Sequence, residues 1–204
     1  MTDPHPLSPN EMAEPAATAL ADSQAVVLAS MRRWLEQAVI GLNLCPFAKS
    51  VYAKNQIHWV VTDASSHAEL LDVLRSELLA LQAIDAAQRD TTLIIVPNGL
   101  GDFLVFNDLL RSADRLLRKL RLDGVFQIAS FHPDFEFADA AAQDITHNTN
   151  RAPYPTLHLL RETSVARAVQ AFPEAEMIFD KNRQTLTAIG QAGWDALHIG
   201  PGAT

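Results

Sequence analysis

The run Thr91-Thr92-Leu93-Ile94-Ile95-Val96 constrains the fold most. It is apolar on both sides of an extended chain, which suits a central strand covered by helices on both faces. Ile57 to Val61 (IHWVV) reads as a strand before it, and Val125 to Phe131 as a strand after it. Two helical periods separate the three. Ser66 and Glu69 form a capping box ahead of a helix to about Ala87, with Leu70, Leu74, Leu78, Leu81 and Ile84 on its buried face. Asp102 caps a second helix, expected to bury Phe103, Phe106, Leu110, Ala113, Leu117 and Leu120. The order strand–helix–strand–helix–strand predicts parallel strands joined by crossovers. The expected class is α/β: a small parallel sheet of three or more strands flanked by helices, with an α-helical C-terminal part.

A further helix is expected from Gln24 to Leu42, where Val27, Met31, Leu35 and Val39 recur at helical spacing beside Trp34 and Ala38. Gly41 and Asn43 are stop signals. Residues 1–23, rich in Pro and Ala, read as a tail, and 24–204 as one domain. At the other end, Thr156 to Phe172 (TLHLLRETSVARAVQAF) reads as a helix capped by Thr156, followed by a helix from Glu174 to Ile189 that Gly190 ends. The last residues show no period, and His198 receives no role.

With 204 residues and a formal net charge of −8, the chain is acidic. That argues against nucleic acid and against an anionic membrane surface as partners, both of which need a basic face. No stretch approaches the roughly 20 apolar residues of a membrane span, and the N-terminus lacks a signal-peptide pattern. Cys45 is the single cysteine, so no internal disulfide and no Cys-based zinc cage can form. A cytoplasmic setting is expected; cofactor and oligomeric state stay open.

Polar chemistry concentrates between Ala129 and Glu162. From Phe131 to Phe137 the sequence alternates, so an extended chain would put His132, Asp134 and Glu136 on one side. Asp144, His147, Asn148, Asn150 and Arg151 follow, and Pro153 and Pro155 stiffen what comes next. On the expected helix, His158, Arg161 and Glu162 would share a side facing this loop. Cys45, before Pro46, would sit at a helix N-cap, where free N–H groups favour a thiolate. A small buried apolar cysteine is the other reading.

These groups allow three functions. In the first, an enzyme acts on a small anionic substrate, a carboxylate or phosphate. Cys45, His132, Asp134 and His147 would be catalytic, and Asn43, Asn98, Asn148, Asn150, Arg151, His158 and Arg161 would bind substrate. In the second, the same cleft binds an anionic metabolite or a peptide without catalysis. In the third, His132, Asp134, Asp144 and His147 hold the metal of a hydrolase. One cleft is expected at the C-terminal edge of the sheet, lined by the Cys45 turn, the PNGLGD turn (97–102) and residues 132–161.

The segments GLNLCPFA (41–48), FHPDF (131–135) and NRAPYPTLHLLRE (150–162) resemble a bacterial family known as domain of unknown function 1415. The resemblance extends over about residues 25–195. It implies that these segments are the family's signature and supports one site built from Cys45 and the 131–162 region. It implies no substrate, cofactor or catalytic role.

Overall fold

The computed structural model describes residues 23–172 and 175–202. The expected tail lies outside the described residues, save its last position. The four strands are β1 (Ile57–Val61), β2 (Thr91–Ile95), β3 (Phe126–Phe131) and β4 (Thr156–Arg161). The helices are α1 (23–34), α2 (Ala48–Ala53), α3 (His67–Ala83), α4 (Phe103–Lys119), α5 (Glu162–Ala171) and α6 (Ile178–Asp195). The sheet order is β1-β2-β4-β3. β1 and β2 are parallel, and β4 runs antiparallel between β2 and β3. The expected α/β class holds, and β1, β2 and β3 do share one direction. The sheet is nevertheless mixed, because β4 occupies the slot between β2 and β3.

β4 corrects the expected helix over 156–172. Leu157 and Leu159 point to one face and are fully buried, while Thr156 and His158 point to the other. This two-residue period is imposed by hydrogen bonding to a neighbour on each side. Helix begins only at Glu162, directly after Arg161, the last residue of β4.

Two cores sandwich the sheet. Leu70, Leu74, Leu78 and Leu81 of α3 and Phe106, Leu109, Ala113 and Leu117 of α4 pack on Ile94, Leu157 and Leu159. Each such fully buried leucine contributes about 1.5–3 kcal/mol. On the opposite face, Val27, Met31, Trp34, Leu35 and Ala38, with Leu186 of α6, cover Leu93 and Ile95. The five residues of β2 are all buried, as a strand covered on both faces requires. α1 runs directly into a π-helical segment, Leu35–Ile40. The wider turn carries the apolar stripe off its expected positions, so Ala38 is buried and Val39 only partly. Asn43 ends this segment with φ 55°, a left-handed conformation that Asn tolerates.

The caps fall where expected. The Ser66 hydroxyl accepts from Glu69 N–H, and the reciprocal bond completes the box. Asp102 accepts from Val105 N–H at 3.0 Å. α6 differs from expectation. It passes Gly190, whose φ of 59° kinks it, and continues to Asp195.

Candidate functional site

The C-terminal ends of β1, β2 and β3 lie beside the start of β4, since Ile95 and Phe131 both pair with Thr156. The polar stretch emerges from this edge. It does not continue β3. The strand stops at Phe131, and a turn closes with Phe135 N–H donating to the His132 carbonyl at 3.2 Å. Pro133 sits second in that turn, where its fixed φ fits. The expected single polar face is therefore absent: His132 is 0% exposed, whereas Asp134 and Glu136 are exposed.

His132 is bound on both ring nitrogens. Nδ1 accepts from Asp134 N–H at 3.0 Å, and Nε2 donates to the Leu100 carbonyl at 3.1 Å. Those partners define the neutral Nε2–H tautomer. Its backbone N–H donates to Asn150 O at 3.2 Å. The ring packs on Phe103 and Phe106 at 5.4 and 5.3 Å. Burial pushes its pKa down, against the Leu100 hydrogen bond and the charges of Asp134 and Asp102. His147 repeats the device, also at 0% exposure. Its Nδ1 accepts from Phe137 N–H at 3.1 Å, and Nε2 donates to Ala141 O at 2.8 Å. Each histidine thus ties one loop segment to another through the backbone. Neither has a ring nitrogen left over for a proton from a substrate.

The other candidate residues separate. His158 faces the α1 side of the sheet, and its Nε2 donates to Thr91 Oγ1 at 2.7 Å. The Thr91 hydroxyl in turn donates to the Leu159 carbonyl. Arg161 does not face the polar loop. It pairs with Phe126, at the far end of the sheet, roughly 16 Å along β4 from Thr156 at the usual strand rise. Its guanidinium donates to the carbonyls of Leu81 and Ile84, both at 2.7 Å, and of Arg89. It therefore caps the C-terminal end of α3, where orphan carbonyls and the helix dipole favour a cation. Asn98 is exposed and donates to Asp63 across the ends of β2 and β1 at 3.4 Å. Asp144 caps the 3-10 turn Ile145–Thr149, accepting from Thr146 N–H at 2.8 Å. Its hydrogen bonds with Thr146 hold its carboxyl below the usual range. Asn150 ends that turn. Among the described residues no three His, Cys, Asp or Glu side chains are placed to hold a metal ion.

α2 begins at Ala48, so Cys45 is not its N-cap residue. The backbone N–H groups of Phe47 and Ala48 favour the thiolate, as the turn suggested. Burial outweighs them and pushes the Cys45 thiol pKa up. Iodoacetamide is therefore expected to label Cys45 roughly tenfold or more slowly in the folded chain than in urea. A folded-state rate at or above the unfolded one would instead reveal an activated thiol.

The stretch does line a cavity, of about 330 Å³. One wall is Pro133, Asn148, Arg151, Ala152 and Pro153; the other is Gln191, Trp194 and Asp195 of α6, with Ile199, Gly200 and Pro201 beyond it. Cys45 and the PNGLGD turn line no part of it, so the expected three-sided cleft is replaced by a two-sided one. Arg151 is fixed at both ends. Its carbonyl accepts from the Trp34 indole N–H at 2.9 Å, and its Nε donates to Phe135 O at 3.0 Å. Its terminal guanidinium nitrogens make no hydrogen bond among the described residues. Asn148 is 4% exposed as a residue, and its side-chain amide opens on the cavity without a hydrogen bond among the described residues; no fully buried side-chain polar atom there lacks a partner.

A family model described as Protein of unknown function (DUF1415) matches residues 26–196. The chain belongs to that family. No curated protein and no solved structure matches it. The matched span of this DUF1415 chain holds all three resembling segments and Trp194 and Asp195 of the cavity. Sequence reading passed over that second wall, because residues 191–201 carry no period. A tryptophan among glycines and prolines was the one signal there.

Proposed function

We propose that this protein binds a small anionic metabolite, through a carboxylate or phosphate group, in the cavity between Arg151 and the end of α6. The observation that carries this reading is the pair Arg151 and Asn148. A guanidinium held in place by its Nε offers its free nitrogens as a fork, the geometry that suits a planar carboxylate or a phosphate. The Asn148 amide opens on the same cavity and makes no hydrogen bond among the described residues, so it is free to donate to a ligand oxygen. A cavity of this size suits a small molecule.

Binding without turnover is favoured over catalysis. The ring nitrogens of His132 and His147 are taken by backbone groups, and the Cys45 pKa is raised. The setting we propose is the bacterial cytoplasm, supported by the acidic balance and the lone cysteine; no described helix is long and apolar enough to cross a membrane.

A calorimetric screen of short carboxylates and phosphate esters tests the reading. Arg151→Gln is expected to weaken the binding of any hit by roughly 10- to 100-fold, the worth of a charge-assisted hydrogen bond. The hit is expected to be recovered chemically unchanged after long incubation. Unaltered affinity in Arg151→Gln removes this reading.

A further inference from the structure

We propose that the ligand of this cavity is a zwitterion of the amino-acid type, with its carboxylate on Arg151 and Asn148 and its ammonium on Asp195. The inference rests on the anion-binding reading and adds the second pole.

Arg151 and Asp195 line the same cavity of about 330 Å³. They make no ion pair with each other, and neither is paired with another charge among the described residues. Two opposite charges on one cavity that leave each other alone are matched by a ligand carrying both signs. A ligand with only a carboxylate would meet attraction at one wall and repulsion at the other.

The Asp195 carboxylate is also oriented. Its Oδ1 accepts from Gln191 Nε2 at 2.7 Å, which leaves Oδ2 for another donor. It stands on the last residue of α6, where helix carbonyls add partial negative charge that favours a cation. The kink at Gly190 gives the final turn, with Gln191, Trp194 and Asp195, an axis of its own. The same lining also carries apolar groups, Trp194, Ile199, Pro133 and Ala152. An apolar or aromatic side chain on the amino acid would pack there.

The test is calorimetric titration of the full-length chain with three matched series. The amino acids are L-leucine, L-methionine and L-phenylalanine. The acids are their deaminated counterparts, and the amines their decarboxylated ones. At least one amino acid is expected to bind about tenfold or more tightly than both of its one-charge analogues. In Asp195→Asn that preference over the acid is expected to vanish, while the acid binds as well as before or better. Asp195 is exposed at a helix end, and circular dichroism of the variant checks that the fold is retained. If acids bind through Arg151 but the matching amino acids bind no better, or Asp195→Asn keeps the preference, the zwitterion inference is overturned and the anion reading stands. If no compound of any series binds the wild-type chain, the zwitterion inference falls, and the anion reading falls with it if the phosphate esters of the screen do not bind either.

Discussion

His132→Ala is expected to lower the unfolding free energy by about 3–5 kcal/mol, as much as truncating a fully buried core leucine. Two losses combine. The ring is 0% exposed and packs on Phe103 and Phe106 of α4, so its removal leaves a cavity against that helix. The Leu100 carbonyl and the Asp134 N–H lose their partners at the same time. His132→Phe separates the two. It keeps the aromatic volume and removes only the hydrogen bonds, so a smaller loss of about 1–3 kcal/mol is expected. Urea denaturation of both variants measures this. If both cost less than about 1 kcal/mol, the histidine does not clamp these loops.

Stability is expected to fall by about 3 kcal/mol between pH 7 and pH 4 through His158 alone. Burial lowers the His158 pKa to about 4, against about 6.5 in an unfolded chain. The folded ring stays neutral where the unfolded one already takes a proton, so acid favours unfolding. The contribution is fully present above pH 6.5. It is lost as pH falls toward 4 and levels off below, once the folded ring also protonates. His132, lowered by burial too, acts in the same direction. The lowered carboxyls of Asp144 and Glu69 lose their contributions at more acidic pH. His158→Gln can still donate to Thr91 and does not titrate. Its denaturation curves at pH 7 and pH 4 are expected to differ by about 3 kcal/mol less than those of the wild-type chain. Equal acid sensitivity in the two proteins would show that His158 is not held neutral.

Much of the frame was legible from residues a few positions apart. The Ser66–Glu69 box acts across three residues, as does the Asp102 cap. The doubly apolar run Thr91–Ile95 announces a covered strand by itself. Such signals need no knowledge of the rest of the chain, because the atoms that satisfy them are local. The three segments that resemble DUF1415 were equally plain, and the family match over residues 26–196 bears them out.

Tertiary structure decided the rest, for one physical reason: the deciding partners are remote in sequence. Thr156–Arg161 has a leucine-rich helical look, and only pairing with β2 and β3 together makes it a strand. Arg161 finds its carbonyls 80 and 77 residues away at the end of α3, which takes it from the loop to the opposite end of the sheet. His132 meets Leu100 across 32 residues, and a ring that composition offered as a base became a neutral tie between two loops. Trp34 fixes the Arg151 backbone from 117 residues away. The amino-acid sequence thus determined which residues carry polar chemistry and on which strand edge they emerge. Only the packing of α6 against the 3-10 turn decided that Arg151 shares a cavity with Asp195 rather than a cleft with Cys45.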